Sequence, residues 1–201
     1  MKFTYLPLGD SYTIGEGALP NEAWPNILVD NLQKNDIDIE LISNPSVTGW
    51  TTQQLIDNEL PIFDDKKPNF TTLLIGVNDW VQEVNIADFE KNFIYILDHI
   101  QSKMEDISKI VIVTIPDFGV TSDGAKYGKG RNISDGLSEF NNIIKKHAKT
   151  RKLPCIDIFP ISKRMGTEPD LVAEDNLHGS AKMYSLWEKL IRPKVFELLN
   201  D

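Results

Sequence analysis

The chain has 201 residues, with 21 lysines and arginines against 30 aspartates and glutamates, for a formal net charge of −9 at pH 7. Hydrophobic residues make up 41% and charged residues 25%, which excludes a disordered chain, and the negative balance argues against a general binder of nucleic acid or anionic membranes, since both need a positive field. The single cysteine, Cys155, excludes an intrachain disulfide scaffold.

The composition and length predict one domain over residues 1–201. The longest apolar runs are strand-length and fall far short of the ~20 residues a membrane-crossing helix needs. Met1 to Leu8 is too short and too broken for a signal-peptide core, so a cytoplasmic location is expected, without stable membrane insertion. Oligomeric state leaves no trace in the sequence.

In chain order, Phe3 to Leu8 predicts a strand. Glu22 to Gln33 predicts a helix, with Trp24, Ile27, Leu28 and Leu32 at helical spacing. Ile37 to Ile42 alternates as a strand with one exposed face, and Thr51 to Leu60 predicts a short helix. Phe70 to Ile75 is a buried strand type. Ile86 to Lys103 carries the helical stripe Phe89, Phe93, Ile96, Leu97 and Ile100. Ile110 to Ile115 is β-branched and unbroken, as a central parallel strand covered on both faces would be. Asp117 to Arg131 has no apolar period and four glycines, and predicts a long loop of the kind that often carries function. Ser134 to Lys149 predicts a helix, Leu153 to Ile158 a strand, and Ser180 to Leu199 a closing helix bent at Pro193. Strands alternating with helices imply a parallel sheet with helices on both faces, and in such sheets ligands bind at the carboxyl ends of the strands.

Four short motifs fall at such ends. Gly9-Asp10-Ser11 follows the first strand: Ser11 can be a nucleophile, or Asp10 and Ser11 can simply cap a helix. Asn44 to Thr51 follows the second strand, and its Gly49 can present a bare N–H; alone it is only a loop. Gly76-Val77-Asn78-Asp79 follows the third strand, where the Asn78 amide can donate to an oxyanion, or the four residues can form a turn. Asp175-Asn176-Leu177-His178 offers a base with an orienting carboxylate, with a helix cap or half a metal site as alternatives. The other histidines argue against metal, because His99 lies in a helix beside Asp98 and His147 follows Lys145 and Lys146 on a solvated face. Together the motifs supply a nucleophile, a base with its acid, and three oxyanion donors (the Ser11 N–H, the Gly49 N–H and the Asn78 amide), the parts acyl transfer requires. There is no G-x-S-x-G elbow, no P-loop and no G-x-G-x-x-G dinucleotide fingerprint.

These residues resemble the SGNH hydrolases, the GDSL-type esterase/lipase family, over nearly the whole chain. Gly9-Asp10-Ser11-Tyr12-Thr13-Ile14-Gly15 fits the family's serine block and Gly76-Val77-Asn78-Asp79 its Gly-x-Asn-Asp block. The resemblance implies that Ser11 is the nucleophile, that Gly49 and Asn78 complete the oxyanion hole, that His178 is the base and that Asp175 orients it. It also implies a flavodoxin-like three-layer sandwich around about five parallel strands. One departure is Gly179-Ser180, where members often carry Pro-Ser, so a looser turn is expected there.

The implied activity is hydrolysis of carboxylic esters through an acyl-enzyme, on small soluble or lysolipid-type substrates, with carbohydrate O-acetyl esterase or acyl thioesterase as alternatives. Asp10, Trp50, Trp80 and Phe118 are assigned to substrate contact. Val81, Val120 and Tyr127 are further candidates for the walls, and ordinary packing is the alternative for each. Lys126, Lys129 and Arg131 form a basic patch in the long loop, or a solvated face. No cofactor or metal is expected. The rivals are a non-catalytic carbohydrate or phosphate binder on the same fold, which has no use for a base and its orienting acid, and a flavin binder. The latter needs a Ser/Thr-rich phosphate loop where Asp10 places a carboxylate.

Overall fold

The computed structural model describes residues 2–200. Its elements in chain order are β1 (Phe3–Gly9), α1 (Ser11–Ile14), α2 (Trp24–Gln33), β2 (Ile39–Leu41), α3 (Thr52–Gln54), a π-helical turn (Leu55–Glu59) and α4 (Leu60–Lys66). They continue with β3 (Phe70–Leu74), α5 (Val77–Val81), α6 (Ile86–Lys103), β4 (Ile110–Val113), α7 (Ile133–Thr150), β5 (Cys155–Ile156), α8 (Phe159–Ser162) and α9 (Ala181–Asn200).

The five strands form one parallel sheet in the order β2-β1-β3-β4-β5. Helices cover both faces, giving a three-layer α/β/α sandwich: α2 packs on α9, while α4, α6 and α7 pack among themselves. The central strands have no wet face, and β3 and β4 are buried at every residue, which is why they read as unbroken apolar or Thr-bearing runs. The threonines within them are satisfied locally: Thr71 donates to the Leu6 carbonyl at 2.7 Å, and the Thr72 hydroxyl meets the Tyr5 hydroxyl at 2.7 Å. Strand order reverses between β1 and β3, the switch point at which open α/β sheets form their ligand crevice. The register Gly9↔Leu74 brings the chain after β1 beside the chain after β3.

Several elements differ from expectation. The helix predicted over Thr51–Leu60 continues to Lys66 and passes through the π turn, in which the Leu60 N–H reaches back to the Leu55 carbonyl. Pro61 is the reason: it brings no N–H and its ring would strike the carbonyl four residues back, so the turn before it widens. The strand predicted over Leu153–Ile158 pairs only at Cys155 and Ile156, because as an edge strand it has a partner on one side alone. The Thr114 N–H still donates to the Ile156 carbonyl at 3.0 Å, but Ile115 leaves the ladder, and Asn141 of α7 instead clamps both its N–H and its carbonyl at 2.9 Å each. The closing helix runs through Pro193 to Asn200. The long loop holds two single 3-10 turns, Phe118–Val120 and Gly124–Tyr127.

Candidate active site

The chain leaves β1 at Gly9 and turns at once into α1. Gly9 must be glycine, because a Cβ there would lie 2.2 Å from the Thr13 hydroxyl and 2.4 Å from the Leu74 carbonyl oxygen. Asp10 is the N-cap, and its Oδ1 accepts the Tyr12 N–H at 3.0 Å. Ser11 therefore occupies the first helical position, where the backbone N–H has no acceptor within the helix. The hydroxyl of Ser11 meets His178 Nε2 at 3.0 Å.

His178 is delivered by a tight turn after residue 174. Asp175 Oδ1 accepts the N–H groups of Leu177 and His178, each at 2.9 Å, while Oδ2 contacts His178 Nδ1 at 2.6 Å. Asn176 takes the left-handed conformation (φ 60°) that asparagine tolerates better than most residues. Gly179 does not loosen this turn. It pairs with Val172 in an antiparallel bridge, the His178 carbonyl accepts the Ala173 N–H, and the Ser180 N–H reaches the Leu171 carbonyl at 2.9 Å. The imidazole is buried and packs over the Tyr12 ring, centroid to centroid 5.0 Å. For Asp175, burial favours the neutral acid, but the hydrogen bonds from His178 and the two backbone N–H groups outweigh it and hold the carboxyl below its ordinary range.

The third motif is a helix and not a turn. Gly76 adopts φ 127°, where a Cβ would also strike the Phe89 ring at 2.7 Å, and α5 begins directly after it. Asp79, fully buried, accepts the backbone N–H of Thr52 at 2.9 Å and its hydroxyl, which ties the start of α3 to α5. Burial raises the Asp79 carboxyl, with the Thr52 hydrogen bonds working against it. The same junction fixes the loop before α3: Asn78 Nδ2 donates to the Trp50 carbonyl at 3.0 Å, and Gln82 Nε2 donates to the Gly49 carbonyl at 2.8 Å. Gly49 and Asn78 thus sit on one braced corner beside the Ser11 turn, and the Asn78 amide also lies 3.4 Å from Asp10 Oδ2.

The crevice over Ser11 and His178 has a cavity of about 50 Å³, walled by Tyr12, Val77, Val81, Phe118, Tyr127 and Leu177 together with Asn78. Of the residues assigned to substrate contact, Phe118 lines it. Asp10 does not: it is fully buried and spent on the α1 cap. Trp80 is also behind the wall, with the Arg131 guanidinium 3.9 Å above its ring and an Arg131 N–H donated to its carbonyl at 2.9 Å. Trp50 is half-buried outside the cavity wall and contributes its carbonyl to Asn78. The basic patch disperses into local pairs, Lys126 with Asp123 at 2.7 Å and Lys129 with Glu83 at 2.9 Å. His99 and His147 pair with Asp64 and Glu90 away from the crevice. Sequence reasoning missed one buried acid next to the site, Glu59, which accepts the Gly9 N–H at 3.0 Å. The signal was available, since Glu59 falls on the apolar stripe of Leu55, Leu60 and Phe63.

Burial pushes the Asp10 carboxyl up to about 7 from an ordinary 3.8; the Tyr12 N–H works against this and the neighbouring Asp79 adds to it. The folded chain therefore keeps a proton that the unfolded chain has already released between those two values. Stability contributed by this group is full below the lower value and is lost as pH rises through the upper one. Asp10→Asn retains a capping oxygen and removes the buried charge. It is expected to be more stable than wild type at mildly alkaline pH, by up to roughly 4 kcal/mol, with the gap closing in acid. Urea unfolding across that range measures it, and a variant no more stable than wild type in alkali contradicts it.

Within this sandwich, Ser11, His178 and Asp175 stand in hydrogen-bonded series at the switch point of the sheet. The sequence profile of the GDSL-like lipase/acylhydrolase family matches residues 8–186, and the chain belongs to that family, whose members hydrolyse ester bonds. It is 23% identical over 173 residues to an arylesterase of Vibrio mimicus, covering 86% of this chain and 78% of that protein. It is equally 23% identical over 175 residues to "Thioesterase 1/protease 1/lysophospholipase L1" of Escherichia coli K12, covering 87% and 74%. Among solved structures, the psychrotrophic esterase EstA from Pseudoalteromonas sp. superposes over the whole of both chains with a TM-score of 0.74 at 19% identity.

Proposed function

We propose that this chain is a serine esterase that cleaves esters of short acyl groups through an acyl-enzyme intermediate. The observation that carries the reading is the continuous series Ser11 Oγ, His178 Nε2, His178 Nδ1 and Asp175 Oδ2, with contacts of 3.0 and 2.6 Å. In the first step Ser11 Oγ bonds to the ester carbonyl carbon while His178 Nε2 takes its proton. The carbonyl oxygen becomes an oxyanion facing the Ser11 N–H, the Gly49 N–H and the Asn78 amide. The C–O bond to the alcohol then breaks, and His178 returns the proton to the leaving oxygen. Water repeats the cycle on the acyl-serine and releases the acid. Asp175 stays ionised, keeps the Nδ1–H tautomer and stabilises the imidazolium.

The small apolar cavity supports a short acyl group, and the absence of an acidic, lysine or arginine side chain from its wall supports an uncharged one. A series of p-nitrophenyl esters from acetate to octanoate tests this. The expected kcat/KM peaks at the short end and falls more than about tenfold by octanoate; a maximum at octanoate contradicts it. A short-acyl thioester run alongside tests the thioesterase activity carried in the Escherichia coli relative's name.

A further inference from the structure

Under the Gly9-Asp10-Ser11 turn lies a group the chemistry does not use. Glu59 closes the π turn and is fully buried. Its Oε2 accepts the Gly9 N–H at 3.0 Å, and its Oε1 has no hydrogen-bond partner among the described residues. No lysine, arginine or histidine pairs with it there. The titratable group facing it is Asp10 at the end of β1, with Asp79 of α5 beyond Asp10. The Thr13 hydroxyl, pressed over the other side of Gly9, is likewise buried without a partner among the described residues. The backbone two residues before the nucleophile is thus gripped by side chains that touch no substrate.

A lone buried carboxylate beside a second carboxylate is strongly disfavoured, so Glu59 keeps its proton. Burial above all raises it well above the ordinary range; the Gly9 N–H works against this and Asp10 adds to it. A neutral carboxyl can still accept the Gly9 N–H through its carbonyl oxygen. We propose that Glu59 is a positioning residue for Ser11, holding the Gly9 amide as a neutral carboxylic acid so that the Asp10–Ser11 turn stays aligned with His178. This rests on the serine-esterase reading above. Ionisation in alkali would set two carboxylates around Gly9, and their repulsion would draw water in and displace the turn.

The test compares kcat and KM of wild type, Glu59→Gln and Glu59→Leu from neutral to alkaline pH. Glu59→Gln supplies a neutral oxygen to Gly9 and is expected to keep wild-type kcat at neutral pH and to hold it in alkali, where wild type declines. Glu59→Leu is expected to lose roughly ten- to a hundredfold in kcat with KM unchanged, the effect of a misplaced nucleophile. Should Glu59→Leu fail to fold, the alkaline comparison of wild type with Glu59→Gln decides. A Glu59→Leu variant with wild-type kcat, or a Glu59→Gln variant with the wild-type alkaline decline, overturns the proposal. An infrared difference between wild type and Glu59→Gln reads the proton without turnover: a carboxylic-acid carbonyl band at neutral pH is expected, and its absence also overturns the proposal. An inactive wild type that shows this band overturns the esterase reading instead.

Discussion

Ser11→Ala is expected to abolish ester hydrolysis in a protein that still folds. Its hydroxyl meets His178 Nε2 at 3.0 Å, and in the proposed mechanism that imidazole takes its proton. In enzymes with this arrangement, loss of the nucleophile lowers kcat by about 10⁶, and the remaining rate comes from binding and oxyanion donors. Stability should change little. The substitution removes one small buried hydroxyl while the α1 cap from Asp10 and the glycine-tight packing of Gly9 remain. Initial rates on p-nitrophenyl acetate, with a thermal melt of the same sample, measure both. A purified, folded variant with wild-type turnover contradicts the assignment.

Asp175→Asn separates two tasks that one side chain performs here. Its Oδ1 builds the turn by accepting the N–H groups of Leu177 and His178, and an asparagine oxygen can do the same. Its Oδ2 contacts His178 Nδ1 at 2.6 Å and requires a hydrogen on that nitrogen. An asparagine amide placed there donates instead, which moves the hydrogen to Nε2 and leaves no lone pair for the Ser11 proton. The expected result is a loss of about 10⁴ in kcat, the size seen when the orienting carboxylate of such a triad is neutralised, with the melting curve close to wild type. Loss of the carboxylate's preferred ionisation also removes a small stabilising contribution at neutral pH, and the gap to wild type closes in acid. Asp175 lies below its ordinary range in the fold, so its contribution is present above the unfolded value and fades as pH falls. Steady-state rates and a nitrogen-detected tautomer measurement on His178 check the two halves. An Asp175→Asn variant with undiminished kcat shows that the carboxylate does not set the tautomer.

The fold was readable wherever burial on two faces wrote itself into composition. Ile110–Val113 and Phe70–Leu74 are apolar or Thr-bearing throughout because both sheet faces are covered. Where one partner strand is missing, the same apolar run overstated the ladder, as at Leu153–Ile158. Helices α5 and α8 stayed hidden, and α1 was anticipated only as the helix Asp10 and Ser11 could cap, since each is a single turn too short to show an apolar period. The meeting of Ser11 with His178, 167 positions apart, is invisible to periodicity. It was anticipated because strand ends converge at a switch point and because the motifs resemble a known family.

Wall residues were the least legible part. Trp80 follows the Asn78 motif directly and looks like a crevice wall, yet Arg131, 51 positions on, covers its ring and takes its carbonyl. No local pattern announces such a long-range contact. Asp10 is the opposite case, since its neighbours Gly9 and Ser11 define the site while its own side chain turns inward to cap α1. Glu59 was passed over because a helix stripe is read for its apolar members, and the one acid on the stripe is the exception that marks strain or function.

The most direct test of the Ser11–His178 pairing is peptide mass mapping after treatment with a small fluorophosphonate. One phosphonyl group is expected, on Ser11, formed by wild type and absent from His178→Ala treated for the same time. An active wild-type enzyme whose adduct lies on another residue, or a His178→Ala protein labelled on Ser11 as fast as wild type, would contradict it.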